Sequence, residues 1–164
     1  MELTQRKLKD ILSYDPESGL FHWRKVVSGP VKIGQIAGTK NSNGHIMISI
    51  SRKRYVAHRL AWLYMTGKWP TGEIDHVNVI GSDNRWNNLR LCTRSENECN
   101  KGLRKDNTSG FKGVCWNKTN KKWIVKIKLN NKTRNLGGFN DIELADLVAR
   151  EAREKYHGLF ARHN

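Results

Sequence analysis

The chain has 164 residues, of which 30 are Lys or Arg and 15 are Asp or Glu, so its formal net charge is +15. This surplus favours a polyanionic partner, because cationic side chains that neutralise phosphates release condensed counterions. No apolar run approaches the roughly 18 residues that a membrane-spanning helix needs, which argues against a membrane protein. Three cysteines without a Cys-x-x-Cys pair argue against a disulfide framework or a zinc finger. The N-terminal residues contain no apolar signal core, so we expect a cytoplasmic protein.

The first 54 residues predict an N-terminal helix and β-hairpin region. Thr4 can cap a helix that carries Leu8, Ile11 and Leu12 on one side, and the turn-forming residues 14–19 end it. Strand-like segments follow at 20–24, 35–40 and 44–51, the last with Ile at every second position from 46 to 50. We expect these strands to form a small supporting sheet.

Residues 55–101 alternate between helical and strand-like patterns. A helix is predicted from Ala57 to Thr66, with Gly67 as its stop. Short strands are predicted at 74–77 and 89–92, separated by a long polar loop. A short helix follows at 95–100, with Thr93 or Ser95 able to cap it.

The last third contains a basic linker at 102–109 and then a predicted domain at 110–160. Strands are expected at 111–116, 123–129 and 133–138, the last two joined by a turn at 130–131. A helix opened by Asn140–Glu143, which resembles a capping box, places Ala145, Val148, Ala149, Ala152 and Tyr156 on one face. The whole chain is therefore predicted to be α+β, ending in a three-stranded antiparallel sheet packed on one helix.

The sharpest chemical signal lies between Ile74 and Asn97. Hydrolysis of a phosphodiester needs a base that deprotonates water, and a histidine suits that task near neutral pH. It also needs a hard cation, held by oxygen ligands, at the scissile phosphate. His76 could be the base, and Asp75 and Asn97 could offer the oxygens. Asp75 and His76 point to opposite sides of a regular strand, but a bend or bulge there could still aim both at one phosphate.

These residues resemble the motif of HNH homing endonucleases of phages and mobile introns, whose core is a ββα-metal fold. Asn88 and Asn97 follow His76 by 12 and 21 positions, as in the variant of the family with Asn in the last position. The resemblance implies that His76 is the general base, that Asp75 and Asn97 bind one metal ion, and that Asn88 fixes the loop and orients the imidazole. The sequence His58-Arg59-Leu60-Ala61-Trp62 also resembles the helix that precedes the motif in this family. We expect a structural role for His58, and we assign none to His45.

The final Asn bears on the metal, because it contributes an oxygen where the family's usual His would contribute a nitrogen. Oxygen donors favour Mg²⁺ and Mn²⁺ over zinc. We therefore expect cleavage supported by Mg²⁺ or Mn²⁺ and weak with zinc.

The last third carries its charge in a segregated pattern. No Asp or Glu lies between Asn107 and Asn140, whereas seven Lys and one Arg do. In the strand at 123–129, Trp123, Val125, Ile127 and Leu129 alternate with a row that contains Lys126 and Lys128. The first set can pack on the helix, and the second can face a phosphate backbone.

This segment resembles the plant Apetala/ethylene-response-factor DNA-binding domain, through residues 109–114, Lys122-Trp123, Leu136-Gly137-Gly138-Phe139 and the helix that closes in Tyr156-His157-Gly158. The resemblance implies a three-stranded sheet in the major groove of double-stranded DNA. Across the chain, the residues that we expect to contact DNA are Arg85, Arg90, Lys101, Arg104, Lys105, Trp116, Lys118, Lys126, Lys128 and Arg134.

Three functions are compatible with these patterns. The first is a DNA endonuclease of the homing type, which the complete set Asp75, His76, Asn88 and Asn97 favours. The second is a DNA-binding regulator with an inert HNH scaffold. The third is an RNA-associated or structural protein, which is less favoured because an A-form major groove is too narrow to admit a sheet. A single metal site predicts cleavage of one strand by one chain, and the sequence leaves open whether the protein is a monomer or a dimer.

Overall fold

The structure is a computed structural model that describes residues 2–26, 30–129 and 132–163. The chain divides into two compact units, Met1–Cys92 and Thr93–Asn164. It is α+β, with short helices and small antiparallel sheets. No helix within the described ranges is long and apolar enough to span a membrane.

The first unit combines helices with two- and three-stranded sheets. Its elements in chain order are α1 Gln5–Ile11, β1 Leu12–Tyr14, β2 Phe21–Trp23, β3 Thr39–Lys40, β4 Ile46–Ile50, β5 Lys53–Val56, α2 Ala57–Thr66, β6 Glu73–His76, a 3-10 turn Trp86–Asn88 and β7 Leu89–Cys92. β1 pairs with β2, β4 lies between β3 and β5, and β6 pairs with β7, all antiparallel.

Most of the predicted elements of this unit are confirmed. The Thr4 hydroxyl caps α1 by accepting from the backbone N–H of Lys7, and Gly67 ends α2 in a left-handed conformation. Leu12 was wrongly assigned to the helix, because α1 ends at Ile11 and Leu12 begins β1. The strand predicted at 35–40 is regular only at Thr39–Lys40.

The core of the first unit joins both helices to the sheets. Side chains that are almost fully buried come from α1, β2, β4 and α2 and include Leu8, Phe21, Ile48, Leu60 and Leu63. Ile48 and Ile50 are buried whereas Ser49 is exposed, as the alternation predicted. This core also contains Ile74 and Leu89, which anchor β6 and β7.

The second unit contains a short helix, a three-stranded sheet and a long helix. Its elements are α3 Arg94–Asn100, β8 Val114–Asn117, β9 Lys122–Leu129, β10 Lys132–Phe139, α4 Ile142–His157 and a 3-10 turn Gly158–Phe160. Thr93 caps α3 in a reciprocal capping box with Glu96. The sheet order is β10-β9-β8, and all neighbours are antiparallel. The predicted turn at 130–131 lies outside the described residues.

The core of the second unit lies between the sheet and α4. Val114, Val125, Ala145 and Ala149 are its most buried members, and Trp123 and Phe139 pack at its margin. The predicted helix face is correct for Ala145, Ala149 and Ala152 and wrong for Tyr156, which is exposed. Asp141, rather than Asn140, caps α4.

Candidate active site and nucleic-acid interface

The strand pair β6–β7 positions Asp75 and His76, and both residues are only 5% exposed. The register runs from Glu73 opposite Cys92 to His76 opposite Leu89 without a shift. Successive side chains on a regular strand point to opposite faces. The two residues therefore leave the strand on different sides, and this pair of strands has no bulge that would bring them together.

Asp75 lies opposite Arg90 on β7, and the two form an ion pair. Its Oδ2 accepts from Nε of Arg90 at 2.8 Å and lies 2.7 Å from Nη2. A buried carboxylate is held as an anion only when a cation or hydrogen-bond donors compensate it. The structure thus brings a predicted metal ligand together with a predicted DNA-binding arginine, and that arginine neutralises the carboxylate.

His76 projects to the other side, where its Nε2 lies 3.3 Å from Oδ1 of the buried Asn84. An amide oxygen only accepts hydrogen bonds, so this contact favours the tautomer with its proton on Nε2 and the basic lone pair on Nδ1. Burial is the largest influence on the imidazole and lowers the pKa of His76 below 6.5. Near neutral pH the ring is therefore uncharged, as a general base must be.

Asn88 closes the loop between β6 and β7. Its Oδ1 accepts from the backbone N–H of Asn78 at 2.9 Å, and its Nδ2 donates to the carbonyl of Asp83 at 2.8 Å and to Oδ1 of Asn78 at 3.0 Å. These bonds fix the loop, as expected for Asn88. The predicted contact between Asn88 and the imidazole is replaced by one from Asn84.

The N-terminal segment supports the residues around Asn84. The Tyr14 hydroxyl donates to the carbonyl of Asn84 at 2.6 Å, and the Trp86 N–H donates to the carbonyl of Pro16 at 2.9 Å. Gly19 has φ +74, and a Cβ at this position would lie 2.4 Å from the nitrogen of Arg85. The turn at 15–19 therefore packs directly on the backbone that carries the partner of His76.

Two further histidines lie beside His76. The ring centroids of His45 and His58 are 5.7 and 5.0 Å from that of His76, and 5.3 Å from each other. Desolvation is the largest influence on His58 and lowers its pKa to about 3. Sequence spacing does not indicate this group, because His45 precedes β4 and His58 lies in the first turn of α2. We call His45, His58 and His76 the histidine cluster.

Comparison with known proteins identifies the family to which the chain belongs. A family model described as HNH endonuclease matches residues 55–99. Protein 3.8 of Escherichia phage T7 is 34% identical over 106 residues, which cover 64% of this chain and 87% of that protein. Residues 55–99 are an HNH endonuclease domain, and the chain belongs to the family of Protein 3.8. No solved structure matches it significantly.

The HNH domain gives the family-level activity. An HNH endonuclease domain implies a DNA substrate and nuclease chemistry, and such nucleases typically use a divalent metal ion. The match begins at Tyr55 on β5 and extends through α2 and the β6–β7 strands to Cys99 on α3. It therefore contains Asp75, His76, Asn88 and Asn97, all four predicted residues of the nuclease site.

Asn97, the other predicted metal ligand of the HNH domain, lies on α3 in the second unit. It is partly buried, and its backbone N–H donates to the carbonyl of Thr93 at 3.0 Å. The capping box at Thr93 and Glu96 begins the helix directly before it. A shared ion between Asn97 and Asp75 remains a prediction.

The sheet of the second unit has one face covered by α4 and one open face. Lys126 and Lys128 are exposed on the side opposite Val125 and Ile127, which are buried, as predicted. Directly paired residues of antiparallel strands share a face. The polar residues that share the open face are Asn117, Lys122, Lys126, Lys128, Thr133 and Asn135.

Two of the predicted DNA contacts lie on the other side of this sheet. Trp116 is paired with Trp123, their ring centroids are 4.9 Å apart, and Arg134 is paired with Ile127. Both therefore share a face with the core, although each is exposed near an edge of the sheet. Neither shares the face of Lys126 and Lys128, and their contact with DNA stays a prediction. Asn117 and Asn135, next to them in the chain, lie on the face of Lys122 and Lys126 instead.

The remaining Arg and Lys side chains that are predicted to contact DNA differ in whether they form ion pairs. Arg85 is paired with Asp83, Lys101 with Glu98, and Arg104 with Asp106. Lys105 and Lys118 are exposed. The ion pairs of Lys101 and Arg104 are exposed and therefore worth little in water, so these two groups can exchange their partners for phosphates at low cost. The side chain of Asp83, the partner of Arg85, is only 15% exposed.

Proposed function

We propose that the protein is a metal-dependent DNA endonuclease of the homing type, which hydrolyses phosphodiester bonds in double-stranded DNA with His76 as general base. The observation that carries this proposal is the state of His76: a buried, uncharged imidazole whose Nε2 is engaged by Asn84, within an HNH endonuclease domain. The phage relative is compatible with the homing type.

Nδ1 of His76 would accept a proton from the attacking water, while Asn84 holds the proton on Nε2 and orients the ring. Positioned bases of this kind contribute about 10² to 10⁴ to a rate. Asn88 would keep the loop at 78–83 in place through its three hydrogen bonds. Tyr14 and Gly19 would support the backbone at Asn84 and Arg85 from the N-terminal turn.

The donor set fits a hard cation. Asp75 would contribute a carboxylate oxygen and Asn97 an amide oxygen, both of which suit Mg²⁺ or Mn²⁺. In the structure the Arg90 guanidinium holds Oδ2 of Asp75, and the carboxylate leaves β6 on the side opposite His76. Metal binding would therefore require Arg90 to release the carboxylate. A bound Mg²⁺ or Mn²⁺ would neutralise charge on the scissile phosphate and on the departing oxygen.

The second unit would bind the DNA, in the manner of the Apetala/ethylene-response-factor domain that it resembles. Its open face combines three lysines with Asn117, Thr133 and Asn135, and no carboxylate occurs between positions 107 and 140. Asn117, Lys126 and Asn135 line one recess of about 420 Å³ on this sheet. Asn pairs well with adenine and Lys with guanine in the major groove, so these residues, rather than Trp116 and Arg134, are proposed to meet the base edges.

Nicking of a supercoiled plasmid by Asn97 variants tests the metal assignment. Wild-type protein should nick in Mg²⁺ and stop in EDTA. Asn97→Asp should retain Mg²⁺-dependent nicking because it keeps an oxygen ligand, whereas Asn97→Leu should lose it. Equal nicking by both variants would remove Asn97 as a ligand. Specific DNA binding by the wild type without any nicking would favour the non-cleaving regulator instead.

A further inference from the structure

The histidine cluster brings together imidazoles from three separate segments of the first unit. Each ring can offer one nitrogen such that the three possible ligand atoms all lie within 4.8 Å of one another. In tetrahedral zinc sites, bonds of about 2.1 Å place the ligand nitrogens roughly 3.4 Å apart. The three rings would therefore have to move closer together to close around one ion.

His58 provides an independent indication that the cluster accommodates a ligand. Its Nδ1 is buried and has no hydrogen-bond partner within the described structure. Burying a polar atom without a partner is costly, and such atoms call for a specific explanation. A cation bound between the rings would be the missing partner of Nδ1, because a metal ion accepts the lone pair of an uncharged imidazole.

The other two rings also present nitrogens suited to a metal ion. Nδ1 of His45 lies 3.3 Å from the carbonyl of Gly81, which can only accept, so this ring carries its proton there and its lone pair on Nε2. The contact of His76 with Asn84 likewise favours a lone pair on Nδ1. Hydrogen bonding of the second ring nitrogen is the usual way in which proteins orient metal-binding histidines.

We propose that His45, His58 and His76 form a binding site for a borderline-soft divalent cation such as Zn²⁺, and that its occupancy blocks cleavage by engaging the base His76. Three imidazoles and one open position form a donor set that suits zinc, unlike the oxygen donors Asp75 and Asn97. The binding site rests on the cluster alone, and the inhibition rests additionally on the proposed function.

Zinc binding by the metal-stripped full-length protein tests the site directly. Calorimetry should give one Zn²⁺ per chain, and Co²⁺ in the same site should give the visible absorption of a nitrogen-coordinated ion. His45→Gln keeps a hydrogen-bond donor for Gly81 but has no imidazole. It should weaken Zn²⁺ binding by about a hundredfold, since one ligand supplies roughly a quarter of the binding free energy of a four-ligand site.

A matched variant is His22→Gln, which removes a histidine of the β1–β2 hairpin outside the cluster and should bind Zn²⁺ as the wild type does. Far-ultraviolet circular dichroism of all variants checks their folding. Failure of the wild type to bind Zn²⁺, or equal affinity in wild type and His45→Gln, would overturn the site.

The inhibition is measured separately, as the ratio of plasmid nicking rates in Mg²⁺ with and without added Zn²⁺. For the wild type this ratio should be about one tenth or less when the zinc concentration is ten times the dissociation constant. For His45→Gln at the same zinc concentration it should stay near one. Zinc binding without loss of nicking would overturn the inhibition and leave the site. Absence of nicking in Mg²⁺ alone would contradict the proposed function without bearing on the binding result.

Discussion

Lowering the pH from 7 to 5 should destabilise the protein by about 2 kcal/mol through His58 alone. Burial lowers the pKa of His58 from 6.5 to about 3, so the folded state takes up its proton only near pH 3 whereas the unfolded chain takes it up near pH 6.5. The stabilisation is fully present above pH 6.5 and falls as the pH decreases towards 3. At pH 5 protonation of this histidine in the unfolded chain shifts the folding equilibrium towards the unfolded state by a factor of about 30, which corresponds to about 2 kcal/mol.

The assay is urea unfolding in EDTA, followed by tryptophan fluorescence, for wild type and His58→Gln at both pH values. All other titrating groups are common to the two proteins, so their contributions cancel in the difference. The wild type should lose about 2 kcal/mol more than the variant between pH 7 and pH 5. An identical loss in both proteins would refute the view that His58 is held uncharged by burial.

Two substitutions test the supporting turn and the DNA-binding face. Gly19→Ala should destabilise the protein by at least about 2 kcal/mol more than Gly34→Ala. Both glycines have a positive φ, but a Cβ at Gly19 would meet the backbone of Asn84 and Arg85, whereas a Cβ at Gly34 would face open space. Equal losses of stability in thermal unfolding would show that the turn is not packed there. The double variant Lys126→Ala, Lys128→Ala should reduce the slope of log binding constant against log salt by about 1.8. Lys155→Ala, on α4, should leave that slope unchanged, and an unaltered slope in the double variant would remove the lysines from the DNA interface.

The sequence predicted the local elements well where periodicity and turn chemistry act together. The alternation in β4 and β9 and the stop at Gly67 follow from short-range physics and are confirmed. Of the two caps predicted for α3, the structure uses Thr93. Leu12 was misassigned because a helical and a strand-like position look alike at the junction of two short elements. The spacing of the HNH motif located the HNH domain for the same local reason.

Contacts between distant segments could not be predicted in this way. His45 reaches His76 only through the packing of β4 and α2 near β6, and no spacing rule connects these positions. Asn84 and Asn88 have the same side chain and lie in one loop, so the imidazole contact was predicted for Asn88, whereas the hydrogen bond is made by Asn84. For Trp116 and Arg134 the unknown was strand register, since a shift of one residue moves every side chain to the other face.

The most direct measurement of the central claim is the single-turnover nicking rate of His76→Ala in Mg²⁺ at saturating protein, with DNA affinity measured on the same preparations. If His76 is the base, the rate should fall by about 10² to 10⁴ while DNA affinity stays close to that of the wild type, and His22→Ala should nick normally. Nicking by His76→Ala at the wild-type rate would contradict the account.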